Sequence, residues 1–246
     1  MPVAIISDIH GNLIALDAVL SAVADRKIKQ IICLGDVAAT GPQPHEVIAR
    51  FKQIGCPVVM GNTDDWLLEP KLKEGDKQDM QRIQEMEFWA SQQLTSEDRA
   101  YLSGFQPTIS STLENGKRLL AYHGSPRSYR EHIHPAMPDR DLDVALAGHQ
   151  ADIFIGGHTH MQMFRRHRRS LVLNPGSVGL AFDHAWPFDN TVQNPPWAEY
   201  AIIDTRNGVL NVELHRVSFD VQTFIQITLA SGMPHAEWSA RQWSFI

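Results

Sequence analysis

The sequence predicts an α/β fold, and two observations support this prediction. Short runs of apolar residues alternate with segments whose apolar residues recur at helical spacing, which is typical of sheets flanked by helices. The chain has 246 residues, of which 43% are hydrophobic and 20% charged, so it can bury a large core and has an ordinary globular composition. We expect a single domain over residues 1–246, because the sequence contains no repeat, low-complexity segment or linker.

The N-terminal part is predicted to alternate strands with helices. Asn12 is well placed to cap the first helix. A helical insert over residues 65–103 follows, in two pieces that separate near Thr95, where the sequence TSED offers capping groups. The predicted strands are Val3–Ile6, Gln30–Leu34 and Val58–Met60, and the predicted helices before the insert are Leu13–Ala24 and Pro44–Ile54.

The remainder of the chain is predicted to add two hairpins, further strands and two helices. An Asn-Gly turn at 115–116 joins the first hairpin. Residues 180–197 contain three prolines and no regular spacing, which predicts a long loop. The predicted strands are Thr108–Leu113, Lys117–Tyr122, Asp152–Ile155, Met161–His167, Ser170–Leu173, Tyr200–Asp204 and Val209–Arg216, and the predicted helices are Asp141–Gly148 and Val221–Ala230.

Charge and composition exclude several classes of function. The formal net charge is −6, which does not suggest general binding to nucleic acids or acidic membranes. No apolar run approaches the roughly 18 residues of a membrane span, and no signal-peptide pattern precedes the first strand. The two cysteines, Cys33 and Cys56, lie in or beside strand-like segments, as buried thiols do in a reducing compartment. We therefore expect a cytoplasmic protein without a membrane partner or a stable nucleic-acid complex.

Polar residues beside glycine directly follow five predicted strands. The segments are SDIHGN (7–12), GDVAATG (35–41), GNTDD (61–65), HGS (123–125) and GGHTH (156–160). Since the carboxyl ends of strands in open α/β sheets meet at one edge, where ligands bind, we expect these side chains to converge. Seven of them are potential metal ligands: Asp8, His10, Asp36, Asn62, His123, His158 and His160.

A metal centre explains these residues better than seven separate structural roles. Taken singly, each aspartate or asparagine could form a turn or cap, and each histidine could be an ordinary polar group. Together, four imidazoles, two carboxylates and an amide oxygen suit Mn, Fe, Zn, Ni or Co rather than calcium. Seven ligands exceed the needs of one ion and divide between two divalent ions that share a carboxylate. Such a centre keeps a positive charge, which suits an anionic phosphate ester.

The same motifs resemble those of the calcineurin-like metallophosphoesterases. They are Asp8-Ile9-His10, Gly35-Asp36, Gly61-Asn62, His123-Gly124 and Gly157-His158-Thr159-His160. Residues 174–178 (NPGSV) resemble a further signature of the small bacterial and archaeal branch. The motif core spans residues 3–178, and residues 180–246 form a C-terminal extension. The resemblance implies a two-sheet β-sandwich flanked by helices (α/β/β/α).

The resemblance also implies an assignment of ligands and a mechanism. One ion would be held by Asp8, His10, Asp36 and His160, and the other by Asp36, Asn62, His123 and His158, so that Asp36 bridges the two. A hydroxide bridging the ions would attack phosphorus in line, without a covalent phosphoenzyme. Asn12 would orient the first loop, although a plain N-cap role fits it equally well.

Position 63 departs from the family pattern. The third motif of the family often reads Gly-Asn-His, and its histidine is credited with protonating the leaving group, whereas this chain has Thr63 there. General-acid help is typically worth about 10²–10⁴-fold. We therefore expect poor activity on alkyl monoesters and better activity on aryl esters, phosphodiesters or phosphoanhydrides. Asp64 could replace the acid if burial raised its pKa, but capping a helix that begins near Trp66 is the favoured role for Asp64 or Asp65.

Several other residues have more than one interpretation. Arg127 could clamp a substrate phosphate or lie on the surface, and neither role is favoured. His132 and His134 are interpreted as exposed polar residues, and the basic run 165–169 (RRHRR) as a solvated turn at a hairpin tip. The aromatic residues that could line a pocket are Trp66, Trp89, His184 and Trp186, with a core role favoured for the first two.

The favoured function is hydrolysis of a phosphodiester or of a nucleotide-type phosphate ester or anhydride by a metal-dependent phosphoesterase. One alternative is a serine/threonine-type protein phosphatase, which shares the scaffold but is weakened by the absent histidine. The other is a non-catalytic metal-binding scaffold, which has no need of all seven ligands. The expected partner is a small phosphorylated substrate such as a nucleotide, and the sequence does not indicate an oligomeric state.

Overall fold

The computed structural model describes residues 1–72, 77–183, 193–205 and 208–243, and within them it contains two sheets and eight helices. The strands are β1 (Val3–Ile6), β2 (Gln30–Cys33), β3 (Ile109–Thr112), β4 (Arg118–Ala121), β5 (Ile153–Ile155), β6 (Gln162–His167), β7 (Ser170–Pro175), β8 (Trp197–Asp204) and β9 (Asn211–Ser218). The helices are α1 (Leu13–Asp25), α2 (Pro44–Ile54), α3 (Asn62–Leu68), α4 (Gln78–Gln93), α5 (Ser96–Ser103), α6 (Asp139–Ala145), α7 (Val221–Ala230) and α8 (Ala236–Arg241).

Both sheets mix parallel and antiparallel strands. The first sheet has the order β2-β1-β8-β9, in which β1 is parallel to β2 and antiparallel to β8. The second has the order β3-β4-β5-β7-β6, with β4, β5 and β7 parallel and with antiparallel strands at its two edges. Each sheet therefore contains parallel neighbours whose carboxyl ends lie at the same edge.

The two faces of β1 pack against different layers. Ile5 belongs to the apolar cluster between the sheets, together with Ala121 and Leu173 of the second sheet. Ile6 packs on the opposite face, in the cluster that contains Leu16 of α1. Successive side chains of a strand point to opposite faces, so a strand buried on both sides is apolar throughout. With α6 packed on the outer face of the second sheet, the prediction of two sheets flanked by helices is confirmed.

The predicted third strand, Val58–Met60, is wrong. Isolated bridges form there instead, from Val58 to Cys33 and from Val59 to Gln106. The segment has a different partner on each side, and the partner at Gln106 is a single residue outside any strand of the described chain. A continuous ladder therefore does not develop.

The helical insert also differs from its prediction. It contains three helices, α3, α4 and α5, and α3 begins at Asn62 rather than near Trp66. Gly61 is extended, with φ −88° and ψ 168°, and its N–H donates to the Asp64 carboxylate at 3.1 Å. This bond satisfies an N-terminal donor and starts the helix earlier in the chain.

The basic run 165–169 is only partly a hairpin tip. Arg165, Arg166 and His167 belong to β6, and the turn contains Arg168 and Arg169. Arg165 and Arg168 make ion pairs with Asp139 and Asp143 of α6, at 2.6 and 2.8 Å. These contacts leave less of the run solvated than predicted.

Other predictions concern single residues. Both cysteines are free, but Cys56 is only partly buried, whereas Cys33 is buried as expected. His184 and Trp186, in the predicted loop 180–197, lie outside the described residues. No helix in the described part of the chain is sufficiently long and apolar to span a bilayer.

Candidate metal centre

Six of the seven predicted ligand side chains follow the carboxyl ends of parallel strands, and the seventh lies at the start of a helix beside them. Asp8 and His10 follow β1, Asp36 follows β2, and Asn62 is the first residue of α3. From the second sheet, His123 follows β4, while His158 and His160 follow β5. We call this group of seven residues the candidate metal centre.

Six of the seven form two clusters that could each hold a metal ion. The first comprises Asp8, His10 and His160, and the second comprises Asp36, His123 and His158; within each, one ligand atom per residue lies within 4.8 Å of the others. In the first cluster, the Nε2 atoms of His10 and His160 are 3.1 Å apart, and His160 Nε2 is 3.3 Å from Asp8 Oδ1. In the second, His123 Nε2 is 3.4 Å from Asp36 Oδ2.

The two clusters adjoin, with Asp36 and Asn62 beside the boundary. Asp36 Oδ2 lies 3.7 Å from His10 Nε2, so this carboxylate faces both clusters. Asn62 Oδ1 lies 3.0 Å from His123 Nε2 and adds an oxygen to the second cluster. The arrangement therefore offers separate nitrogen and oxygen sets with one carboxylate between them.

The unsatisfied polar atoms fit bound cations. Asp8 Oδ1 and His158 Nε2 are buried and make no hydrogen bond within the described residues. Buried polar atoms normally have partners, and a divalent ion would supply one. A set of imidazole nitrogens and carboxylate oxygens suits first-row transition ions, so the residues present fit a dinuclear site.

The backbone carries unusual strain at this centre. Asp8, His10, Asp36, His158 and His160 all have positive φ, between 48° and 67°. A non-glycine residue in this left-handed region costs about 1–2 kcal/mol, and such residues cluster at functional sites. The bends aim successive side chains of short loops at one point.

Two glycines allow this close approach. A Cβ on Gly61 would lie 2.1 Å from Asp36 Oδ1, and a Cβ on Gly157 would lie 2.0 Å from Ser7 Oγ. Any side chain at these positions would displace a carboxylate or its hydrogen-bond donor. The glycines beside the motif residues are therefore needed for packing around the centre.

Hydrogen bonds outside the centre orient its side chains. His123 Nδ1 donates to the Leu34 carbonyl at 2.8 Å, and His160 Nδ1 donates to the Leu180 carbonyl at 2.7 Å. Each imidazole therefore turns Nε2 inward as a lone-pair donor. Ser7 Oγ and the His158 N–H both donate to Asp8 Oδ2, at 2.6 and 3.0 Å, which leaves Asp8 Oδ1 facing the centre.

Asp64 has a larger role than capping a helix. Its carboxylate accepts the N–H groups of Asp36, Val37 and Gly61, at 2.7, 2.8 and 3.1 Å. Burial, and then the nearby charge of Asp36, raise the pKa of Asp64 to about 7. Because both carboxylate oxygens accept backbone N–H groups, Asp64 holds the turn that carries Asp36, and neither oxygen is left to assist a leaving group.

Electrostatics favour the metal-binding forms of most of the side chains. Burial lowers the pKa of His10 to about 4 and that of His158 to about 3, so both imidazoles are neutral. Burial by itself raises the pKa of Asp8, but the neighbouring His160 and His123 together outweigh it and lower the value to about 2. Burial by itself lowers the pKa of His123, but Asp36, Asp8 and the Leu34 carbonyl together outweigh it and raise the value to about 9, so this histidine must release a proton to bind a cation.

The remaining predicted residues lie around the centre. Asn12 caps α1 by accepting the Ala15 N–H at 3.0 Å, and it also donates to the Gly179 carbonyl at 3.2 Å. Arg127 is exposed and donates to Glu131 at 2.8 Å. His132 is exposed, as expected, but its ring also contacts His158, with centroids 4.5 Å apart.

Sequence analysis missed two residues that lie near Asp36 and Asn62. Arg130 Nη2 lies 3.4 Å from the Asn62 carbonyl oxygen. On α4, burial and then the charge of Asp36 raise the pKa of Glu87 to about 7, and its side chain hydrogen-bonds Thr40. No local pattern identifies Glu87, because the packing of α4 alone brings it within electrostatic reach of Asp36. Trp66 and Trp89 pack against the core cluster of α1, as predicted.

A comparison with known protein families finds one whose sequence profile covers the residues of this centre. The profile of the calcineurin-like phosphoesterase superfamily domain matches residues 1–208, which is most of the chain. The chain belongs to the calcineurin-like phosphoesterase superfamily. The family predicted from the strand-end motifs is thus confirmed.

Similar proteins match this chain over nearly their whole length. An uncharacterized protein of Methanocaldococcus jannaschii is 28% identical over 242 residues, covering 96% of this chain and 94% of that protein. The crystal structure of a metallophosphoesterase from Sphaerobacter thermophilus has a TM-score of 0.76 at 24% identity, covering 98% of this chain and 97% of that one. A hypothetical protein from Pyrococcus horikoshii has a TM-score of 0.80 at 20% identity, covering 98% and 96%. These similarities show that the fold is that of a metallophosphoesterase.

Proposed function

We propose that this protein is a metal-dependent phosphoesterase that hydrolyses phosphodiesters or nucleotide-type phosphate esters and anhydrides. The observation that carries the proposal is the pair of adjoining Asp/His clusters at the strand ends of a calcineurin-like fold. In our assignment one ion is held by Asp8, His10, Asp36 and His160, and the other by Asp36, Asn62, His123 and His158. Two bound divalent ions, which we expect to be Mn, Fe, Zn, Ni or Co, would lower the pKa of water and offset charge on the phosphoryl group.

The residues of the chain supply orientation rather than proton transfer. The Leu34 and Leu180 carbonyls fix the rings of His123 and His160 before any ligand arrives. The Asp64 carboxylate fixes the backbone of Asp36. A preorganised centre of this kind needs little rearrangement as charge develops on the phosphoryl oxygens.

Position 63 offers no side chain that could donate a proton to the leaving group. Thr63 is buried beside Asp36, to which its N–H donates at 2.9 Å, and its Oγ1 has no hydrogen-bond partner in the described chain. A threonine hydroxyl has no acidity near neutral pH. We therefore assign to the protein substrates with good leaving groups, such as aryl diesters and phosphoanhydrides, rather than alkyl monoesters.

Five left-handed residues at the centre cost stability, and metal binding by their side chains would offset that cost. A non-catalytic metal-binding scaffold would have the same ligand geometry, so turnover is the measurement that separates it from an enzyme. No observation in the described residues favours a protein phosphatase over hydrolysis of a small substrate.

Hydrolysis of bis(p-nitrophenyl) phosphate in the presence of added Mn²⁺ tests the proposal. We expect activity in the native chain, its loss in Asp36→Asn and His158→Ala, and its retention in His149→Ala, which changes an exposed histidine outside the centre. Hydrolysis in ¹⁸O-labelled water should place one labelled oxygen in the product. Absence of metal-dependent turnover, or a phosphorylated side chain trapped on the protein, would overturn the proposal.

A further inference from the structure

A cavity of about 450 Å³ lies beside the candidate metal centre, and His10 forms part of its wall. Its other walls come from α4 of the helical insert, from the chain following Gly179, and from α7, α8 and the residues after α8. Because His10 belongs to both places, a molecule with its phosphoryl group at the centre would have the cavity next to it. The cavity is thus positioned to hold a substituent of the substrate.

Most of the cavity wall is apolar, and much of it is aromatic. Its main apolar side chains are Met80, Met86, Phe182, Phe224, Trp238 and Trp243. The volume and this composition match those of small-molecule sites, which typically occupy about 300–1,000 Å³ and combine apolar walls with a few polar groups.

Phe182 makes the aromatic wall continuous with the metal centre. Its ring stacks on the imidazole of His160, with centroids 4.7 Å apart and an interplanar angle of 21°. Since Phe182 also lines the cavity, an aromatic side chain lies where the cavity adjoins the centre. Offset stacking of such rings contributes about 0.5–1.5 kcal/mol beyond the burial of area.

Polar groups also lie on the wall, each next in the chain to an apolar lining residue of α4, α8 or the segment after α8. Asp79, Ser239 and Gln242 all line the cavity. Arg82 holds Asp79 at 3.0 Å and lies over the Trp238 ring at 5.5 Å, although it lines a neighbouring surface depression and not this cavity. Carboxylate, hydroxyl and amide groups can bond the edge of a heteroaromatic ring, whereas an alkyl chain has no use for them.

We infer that this cavity binds the planar aromatic ring of a phosphoester whose phosphoryl group lies at the metal centre. The inference rests on the proposed function and narrows its substrate class to esters that carry a nucleobase or an aryl ring. Both sources present the same chemistry, a flat π-face attached to a phosphate.

Binding of phosphonates to the Mn²⁺-loaded protein tests the inference without relying on turnover, since their carbon–phosphorus bond is not hydrolysed. Equilibrium dialysis would compare methylphosphonate with phenylphosphonate and with the phosphonate analogue of AMP. We expect at least one aromatic ligand to bind at least tenfold more tightly than methylphosphonate. A preference for both identifies a general aryl pocket, and a preference for the AMP analogue alone identifies the nucleobase as the source; either result supports the inference.

Variants in the cavity wall connect the preference to this site. Met80→Glu should abolish it, and because Met80 is 49% exposed the substitution leaves folding intact. Trp238→Ala should reduce the preference independently. Val144→Glu is the matched control, since Val144 is 53% exposed on α6 and does not line the cavity. Equal affinity for methylphosphonate and both aromatic ligands, or a preference that survives both wall variants, would overturn the inference.

This result is separable from failure of the proposed function. If the protein hydrolyses bis(p-nitrophenyl) phosphate but shows no aromatic preference in dialysis, the cavity inference alone is wrong. If it binds the aromatic phosphonates through Met80 and Trp238 yet hydrolyses no ester, the cavity inference holds and the proposed reaction is wrong.

Discussion

Asp64 supplies no ligand atom in the proposed assignment, yet its carboxylate accepts three backbone N–H groups around Asp36. The residue two places before it, Asn62, faces His123, and Thr63 donates its N–H to Asp36. Three consecutive residues thus have three different tasks: ligand, backbone donor and support. At the residue scale, the third motif decides both how Asp36 is held and which proton donors are absent.

We predict that Asp64→Asn weakens Mn²⁺ binding by about 10–100-fold, the typical cost of removing a group that orients ligands. The amide nitrogen would face backbone N–H groups with a donor where an acceptor is required. Competition with a chelator measures the dissociation constant. Asp65→Asn is the control, since Asp65 is exposed next to it in α3 and should bind Mn²⁺ like the native chain. Equal affinity in Asp64→Asn would show that Asp64 does not position Asp36.

We predict that Thr63→His raises turnover of an alkyl phosphate monoester by about 10²-fold, the lower end of general-acid effects. The imidazole would stand beside Asp36, where the present threonine has no acidic group. Steady-state release of phosphate from ethyl phosphate measures the gain, and Thr63→Ala controls for loss of the native side chain. If both variants behave alike, the missing acid does not limit the reaction.

At the scale of single elements, the carboxylate of Asp98 links α5 to α2 by hydrogen bonds. Asp98 and Thr95 exchange capping hydrogen bonds at the start of α5, at 3.0 and 3.1 Å. The same carboxylate also accepts from His45 at 2.7 Å and from Lys52 at 3.0 Å, both on α2. The capping residues are visible in the sequence, whereas the α2 partners follow from the packing of the insert against the core.

We predict that Asp98→Asn lowers the free energy of unfolding at pH 7 by about 1–3 kcal/mol, because charged hydrogen bonds are lost at a buried position. Burial by itself raises the pKa of Asp98, but the bonds from His45, Thr95 and Lys52 outweigh it and hold the value well below its ordinary range. The native carboxylate therefore stabilises the fold above its unfolded pKa of about 3.9, and this stabilisation is lost as the pH falls further. Urea titrations from pH 7 down to pH 2 should show a constant difference between native and variant above the unfolded pKa, and a difference that narrows as the pH falls below it.

A matched control is available one residue earlier. Glu97 also pairs with Lys52, at 3.2 Å, but its side chain is 83% exposed. Glu97→Gln should change stability by less than about 1 kcal/mol at every pH, as exposed pairs do. A loss in Glu97→Gln as large as that in Asp98→Asn would contradict the role given to the buried carboxylate.

At the scale of the whole molecule, the residues of the candidate metal centre come from both sheets. Asp8, His10 and Asp36 come from loops of the first sheet, and His123, His158 and His160 from loops of the second. The C-terminal part contributes to the same assembly, because β8 pairs with β1 along Val3–Ile5. Ions bound between the sheets would therefore hold together the layers whose interface forms the core.

We predict that metal binding stabilises the entire fold. At a Mn²⁺ concentration about 1,000 times the dissociation constant, linkage adds about 4 kcal/mol, which in a chain of this size raises Tm by roughly 10 °C. Scanning calorimetry after chelation and after Mn²⁺ titration measures the change. In Asp36→Asn the shift should be largely lost, and a native chain whose Tm does not respond to Mn²⁺ would contradict the ligand assignment.

Local sequence pattern predicts well those strands and helices whose buried residues recur at a regular spacing. The bounds predicted for β1, α2 and α7 are those observed, because strand and helix periodicity depend on neighbouring residues. The predicted start of α3 is wrong because the Asp64 carboxylate that starts this helix also binds the loop after β2. The tail after α7 gave no local signal for α8, which packs against α7.

The sequence by itself determined the family, the alternation of strands and helices, and which polar side chains stand at the strand ends. It did so because short apolar runs followed by Asp, His or Asn beside glycine are local features, and their order along the chain is specific. Only the tertiary structure decided that Asp64 supports Asp36, that Glu87 lies within electrostatic reach of Asp36, and that α4 and the C-terminal helices line a common cavity. These features join residues far apart in the chain, and contacts between distant residues depend on packing rather than on local spacing.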